Sequence, residues 1–465
     1  MAATIEQVNM TEGALLPKII RFSLPLAATG VLQLLFNAAD VIVVGKFAGA
    51  TALAAVGATT ALINLLVNAF MGISVGVNIL VARYLGCRED ERVRACVHTA
   101  FALSLLLGLV VMAAGLTLST PMLELMKTPK DVLPLSSLYL RIYFLGIPGT
   151  IMYNFGAALL RAFGDTKRPM VFLTVSGVVN ACLNLFFVIV CHMSVDGVAT
   201  ATVISQYISL FLVVRCLRRS EGLSHLELKS IRLDREESLR MIQIGLPAGL
   251  QSTLFSIANV LVQSSVNSFG ASVVAANTAA ASIEGFVYTA MNSVFHAAIT
   301  FTSQNLGAGK PERIKPVYRD CILTVLLIGV PMCALLYFFG QPLLGIYIAK
   351  DDPAYASVIA SGMVRVTYMG MTYFVCGIME TCCGMVRGLG RSWMPMVVTI
   401  FGACVLRIIW IYTIFQTHHT LDVLYLSYPV SWVVTSAVHV LCFVLIYRRM
   451  MARWNAHKEE ENASY

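Results

Sequence analysis

Apolar runs of about 18 to 28 residues recur along the whole chain, parted only by short clusters of charge. A helix of that length spans roughly 30 Å of hydrocarbon. The runs are continuously apolar rather than alternating, which favours helices over a membrane barrel. Only 12% of the 465 residues are charged and 58% are hydrophobic, whereas a soluble domain carries about a quarter charged residues. The sequence therefore predicts an all-α membrane protein of about twelve transmembrane helices. The expected spans are 16–44, 55–82, 95–118, 133–160, 168–192, 195–217, 241–267, 277–305, 317–339, 355–386, 394–415 and 424–447.

Lysine and arginine set the orientation. Of the 33 basic residues, only Lys46, Lys127, Lys130 and Lys350 fall between spans on one side. Nearly all the others cluster on the opposite side, in groups such as Arg83, Arg88, Arg92 and Arg94 or Arg448, Arg449 and Arg453. That side is expected to be cytoplasmic, with both termini on it, in a multi-pass protein of the inner membrane. The net charge of +8 then reflects topology, and no nucleic-acid partner is expected. Residues 1–16 lack the pattern of a cleavable signal, so the first span is expected to remain. The twelve cysteines show no metal-ligand spacing and are read as small buried hydrophobes. The sequons at Asn9 and Asn462 fall in tails expected to be cytoplasmic and are chance matches.

The chain also repeats itself. KIIRFSLP at 18–25 is echoed by RMIQIGLP at 240–247. RYLGCREDERVR at 83–94 returns in outline as NLGAGKPERIK at 305–315. YLRIYFLGIPG at 139–149 pairs Arg141 with Arg365 of MVRVTYMGMTY, and LLRAFGDTKRPM at 159–170 pairs Gly164 with Gly390 of MVRGLGRSWMPM. The expectation is two six-helix lobes related by a pseudo-two-fold axis along the membrane normal. The lobes are 1–217 and 241–448, joined by a solvated tether at 218–240 and followed by a tail at 449–465.

Ionisable residues inside the spans cost about 2.5 to 3.5 kcal/mol each on insertion scales, so they mark partners or wet cavities. Asp40 continues a face of span 1 through Gln33 and Asn37, some 28 Å along the helix from Arg21. Span 8 carries Glu284, Tyr288, Asn292 and His296 at four-residue steps, a candidate cavity lining. Glu380 stands late in span 10. The three acids have no base beside them in sequence, so they read as lone carboxylates; Arg141 and Arg365 read as structural anchors. Asn64 and Asn68, and Asn180 and Asn184, are i, i+4 pairs. GLGRSW at 388–393 is like a phosphate loop only superficially, because no strand precedes it. Without a Walker motif, nucleophile elbow or metal triad, ATP-driven pumping, enzymatic activity and a cofactor have no support.

Taken in order, several stretches resemble the multidrug and toxic compound extrusion (MATE) family across essentially the whole chain. They are the LP at 24–25 before ADVIVVGKFAG, LGCREDERVR, LRAFGDTKRPM, VDGVATATVISQ, LPAGLQS and SQNLGAGKPERIK. The resemblance implies an antiporter whose two lobes rock about a central cavity, importing H⁺ or Na⁺ while expelling small cationic amphipathic molecules. It implies an acid in span 1, matched by Asp40, and in one prokaryotic branch an Asn and an Asp of span 5 and a Thr of span 6. Asn180 and Thr202 fit those positions, while Asn184 stands where the Asp would be, so Asp40 is the one carboxylate left in the first-half cluster. The expected ion-binding set is Asp40, Asn37, Asn180, Asn184 and Thr202, with Na⁺ at Asp40 the only metal considered. Glu284, Tyr288, Asn292, His296 and Glu380 are the expected substrate set, drawing a cation into the cavity. A monomer in contact with membrane lipid is expected. A flippase for lipid-linked oligosaccharide is the alternative, since such exporters share the helical frame; a membrane sensor is less favoured because no sensor domain is appended.

Overall fold

The computed structural model describes residues 9–126, 128–348 and 350–463; Lys127, one of the four lysines assigned to the sparse side, lies outside them. Twelve long helical segments follow one another: α1 (Leu15–Val43), α2 (Ala50–Cys87), α3 (Asp90–Leu125), α4 (Leu133–Ala162), α5 (Lys167–Leu185) and α6 (Val195–Arg219). The second series is α7 (Arg235–Asn267), α8 (Ala271–Gly307), α9 (Ile314–Phe338), α10 (Tyr355–Gly388), α11 (Trp393–Thr417) and α12 (Leu421–Ala463). A 3₁₀ turn at Gly370–Thr372 interrupts α10, and a π turn at Ile400–Val405 interrupts α11. Eleven of the twelve are long and apolar enough to cross a membrane. The exception is α8, which at 37 residues is long enough and falls short through its row of polar residues. The chain is an all-helical membrane protein.

Lipid explains the outward faces. Leu105, Leu106, Leu109 and Val110 of α3 are exposed together, as are Phe338 and Phe339 at the end of α9; exposed apolar rows of this kind are at home only in hydrocarbon. All twelve cysteines are free, and Cys87, Cys182 and Cys191 are exposed rather than buried.

The helices form two compact units, Ala28–Gly249 and Met10–Ala27 with Leu250–Tyr465. Both α1 and α7 are therefore divided, each two residues beyond a proline, Pro25 and Pro247. Proline has no N–H to give to the helix ladder, so each helix is locally weakened just before it passes from one unit to the other. Matching positions of the two halves also share a left-handed backbone conformation. Gly49 and Gly270 adopt φ of 91° and 93°, and Gly164 and Gly390 adopt 88° and 84°, a region open to glycine at little cost.

Within the first unit, α4 supplies much of the core through Leu140, Phe144, Phe155 and Leu159. The first half of α7 is held against α2 backbone to backbone. A Cβ at Gly72 would lie 2.0 Å from the Gly249 nitrogen, and one at Gly76 would lie 2.2 Å from the Met241 carbonyl oxygen. Small residues four apart permit such contact and let dispersion between helices replace the hydrophobic effect that lipid removes. The 218–240 connector is not a free tether. Leu226 is buried, the Glu227 N–H donates to His98 Nε2 at 3.2 Å, and the Tyr84 hydroxyl donates to the buried Glu237 carboxylate at 3.0 Å. The helix α7 accordingly begins at Arg235, ahead of the apolar run, because its first turn docks on α2 and α3.

In the second unit the core gathers Val262, Met379, Tyr425 and Trp432 from α7, α10 and α12. Thermal unfolding of glycine variants tests the close packing in the first unit. Gly72→Val should cost about 1–3 kcal/mol by overpacking and lower the unfolding temperature. Gly57→Ala, where a Cβ meets nothing within 4 Å, should be neutral or slightly stabilising. Equal effects of the two would contradict the interlocked α2–α7 contact.

Candidate functional site

Helix register builds the first polar cluster. A Cβ at Gly177 of α5 would strike the Phe36 ring at 2.0 Å, so glycine there lets α1 come close. One turn beyond Phe36 on α1 stands Asp40, and Asn180 and Asn184 follow Gly177 on the same face of α5. Asn184 donates to an Asp40 carboxyl oxygen and to Asn180 Oδ1 at 3.1 Å. Asn180 in turn reaches Thr202 Oγ1 and Ser205 Oγ of α6, each at 3.4 Å. Asn184 is wholly buried and Asn180 nearly so.

The end of the Asn180 amide that faces Asp40 is 2.8 Å from its Oδ1. With nitrogen there, the amide donates to a carboxylate, and its oxygen accepts from the Thr202 N–H at 3.3 Å. With oxygen there, it can accept from a protonated acid. Which end faces Asp40 is set by the hydrogen-bond network: with nitrogen there, the bonds to Asp40 and the Thr202 N–H replace those to Asn184, Thr202 Oγ1 and Ser205. Asn184 Oδ1 is buried without a partner, so the cluster holds a spare oxygen acceptor and, among the described residues, no base in contact with the carboxyl. Oxygen donors of this kind suit a proton or a hard cation. The structure thus brings together Asp40, Asn180, Asn184 and Thr202 of the expected ion set; Asn37 is exposed and makes no hydrogen bond to the cluster among the described residues. Ser205, absent from that set, was legible as the residue one turn after Thr202.

The second unit answers burial differently. Glu284 of α8 is 1% exposed and is not a lone carboxylate. Arg365 of α10 grips it, donating through Nε at 3.2 Å and Nη2 at 2.7 Å. Arg365 also donates to Asn277 Oδ1, which accepts the Tyr425 hydroxyl at 3.1 Å, while the Asn277 amide donates to Gln263 at 2.8 Å. The expectation that Glu284 offers uncompensated negative charge is thereby corrected; Arg365, read from the sequence as a structural anchor, holds this buried carboxylate. Its repeat mate Arg141 is exposed and donates to Thr120 Oγ1 at 3.3 Å.

A cavity of about 250 Å³ lies beside this pair, lined by Arg365, Tyr288, Tyr373, Cys376, Tyr428 and Trp432 among others. Asn292 donates to the Tyr288 hydroxyl at 3.0 Å, and the carbonyl of His296 accepts from Thr300 at 2.8 Å; neither Asn292 nor His296 lines the cavity. Glu380 is half-buried and makes no hydrogen bond or ion pair among the described residues. Arg407 of α11, 1% exposed, sits behind the aromatic wall, 4.1 Å from the Tyr428 ring centre and within 5.8 Å of those of Phe255 and Trp432. Its Nε donates to Ser431 at 2.8 Å, whereas both Nη atoms are buried without partners. Asn277 and Gln263 escaped sequence reasoning, although Asn277 precedes Glu284 by seven residues on one helix face.

Removing one partner of a buried ion pair costs about 3–5 kcal/mol, because the other charge is left stranded. Arg365→Met should therefore lower the unfolding temperature sharply. The double variant Glu284→Gln/Arg365→Met should recover much of the loss, and equal loss in both would deny the pair its role.

Comparison with known proteins gives this architecture a family. The MatE family model matches twice, over residues 25–186 and 247–413, starting at the two repeat-related prolines. The chain is 29% identical over 388 residues to a probable multidrug resistance protein, YoeA, of Bacillus subtilis (strain 168), covering 82% of each chain. It is 25% identical over 342 residues to an FAD transporter of Shewanella oneidensis, covering 72% of this chain and 74% of that one. Among solved structures, an outward-facing multidrug resistance MATE family transporter of the MOP superfamily superposes with a TM-score of 0.87 at 22% identity, over 98% of this chain and 100% of that one. The chain is a multi-pass membrane transporter, not an enzyme, and it belongs to the MATE family of multidrug efflux transporters.

Proposed function

We propose that this transporter is a secondary active antiporter that exports small organic cations in exchange for H⁺ or Na⁺. The observation that carries the reading is the Asp40 cluster: one carboxyl, no contacting base among the described residues, amide groups of α5 backed by hydroxyls of α6, and a spare buried oxygen on Asn184. Loading with a proton or Na⁺ neutralises Asp40, and unloading restores a charge that a dry environment disfavours. That difference biases one conformation over the other, which is what coupling requires. The two six-helix halves would move against each other, as the internal repeat allows. The side rich in arginine would face the cytoplasm, with both termini there, in the cytoplasmic membrane.

Glu380 is the carboxyl that would attract a cationic substrate, since Glu284 is already neutralised by Arg365. A second reading rests on Arg407, whose unpartnered Nη atoms lie behind the aromatic cavity wall. It favours substrates with an acidic group, and the FAD transporter among the relatives carries a name of that kind.

Protein reconstituted in liposomes should accumulate an ethidium-like cation when an H⁺ or a Na⁺ gradient is imposed, and the effective gradient names the ion. Movement with neither gradient, or under both without accumulation, would contradict antiport. Preference for an anionic dye, lost in Arg407→Gln, would transfer the argument to the second reading.

A further inference from the structure

A larger cavity, about 1170 Å³, opens in the second unit away from the two polar clusters. Its walls come from the α8–α9 turn, the α10–α11 loop and the distal part of α12, on the side where the basic residues gather. The α12 wall is two parallel rows at four-residue steps: Leu445, Arg449, Arg453 and Ile446, Met450, Trp454. Along both rows the chemistry passes from aliphatic to basic or aromatic. Facing them, the loop brings Arg391, Trp393 and Met394. This is the GLGRSW stretch, turned by Gly390 at φ 84°. Trp454 is seated against Gly309, itself at φ 63° and 3.4 Å from the ring by its Cβ position.

Three arginines meet one acid, Glu460, among the residues lining this cavity. Arg391, Arg449 and Arg453 make no ion pair among the described residues. Ser392, 4% exposed, directs into the same loop a buried hydroxyl with no partner. Cations that outnumber the one acid and form no ion pair, a spare hydroxyl and interfacial indoles describe a place for a phosphate at the boundary between water and lipid. The aliphatic ends of the α12 rows describe where acyl chains would lie.

We propose that this cavity is a binding site for an anionic phospholipid, its phosphate held by Arg391, Arg449 and Arg453 and its chains along Leu445, Ile446 and Met394. The graded depth of α12 selects lipid over a soluble phosphate, because a free phosphate has no use for the aliphatic end. The site is independent of the coupling chemistry at Asp40, so its test does not depend on transport.

Purified protein in detergent is titrated with phosphatidylglycerol, with phosphatidylcholine of the same chains, and with inorganic phosphate, following thermal unfolding and lipid retention by native mass spectrometry. Phosphatidylglycerol should raise the unfolding temperature and phosphatidylcholine should not; phosphate alone should do nothing. Each arginine near an anionic headgroup contributes about 1 kcal/mol, so the variant with Arg391, Arg449 and Arg453 all changed to alanine should bind phosphatidylglycerol on the order of a hundredfold more weakly. The corresponding triple lysine variant, which keeps the charge but loses the planar fork, should retain the preference with weaker binding and serves if the alanine variant fails to fold. Equal response to both lipids, undiminished binding in the alanine variant, or a full response to inorganic phosphate would overturn the proposal.

Discussion

A carboxyl group buried in a membrane protein has to be answered by its surroundings, and the two units answer it in opposite ways. In the second unit Glu284 meets a guanidinium and becomes half of a neutral pair held by Asn277 and Tyr425. In the first unit Asp40 meets amides, which can accept or donate and are backed by hydroxyls of α6, and no contacting base among the described residues. A fixed ion pair resists change because stranding either partner is costly. An acid among adjustable dipoles can change its charge while its neighbours re-aim. Under the proposed function, the asymmetry would leave stability to one cluster and ion exchange to the other, on a frame that is otherwise duplicated.

That frame depends on small residues. Without a hydrophobic drive between helices in lipid, close backbone contact supplies the attraction, and glycine is where contact becomes closest. Gly177 lets α1 approach α5 and so determines that Asp40 meets the two asparagines; Gly72 and Gly76 hold the first half of α7. Packing and function are joined here, because the residue that sets the helix spacing also sets the register of the polar cluster. The divided helices α1 and α7 each carry a proline just before the point of division, so the connections between units are covalently continuous but locally weakened.

Much of this was legible in the residues. Apolar runs located all twelve long helices, α8 included, although its polar row makes it less apolar than the other eleven. The repeat marked Pro25 and Pro247, Gly164 and Gly390, and the structure gives those positions matching backbone roles. Neighbourhood across helices was not legible. Sequence spacing puts Glu284 on a face but cannot say that Arg365, 81 residues away, closes over it. Nor could it show that Asn37, on the Asp40 face of α1, stays exposed while Asp40 meets the α5 amides. The docking of the 218–240 connector was hidden for a related reason: its charges suggested solvent, whereas Glu237 is satisfied by Tyr84 of a distant helix.

The central claim is that Asp40 carries the coupling ion. Asp40→Asn keeps the size and hydrogen-bonding capacity of the side chain while removing its ability to change charge. In proteoliposomes under the effective ion gradient, this variant should still bind the substrate yet fail to accumulate it above the equilibrium level. Accumulation equal to that of the unaltered protein would contradict the account.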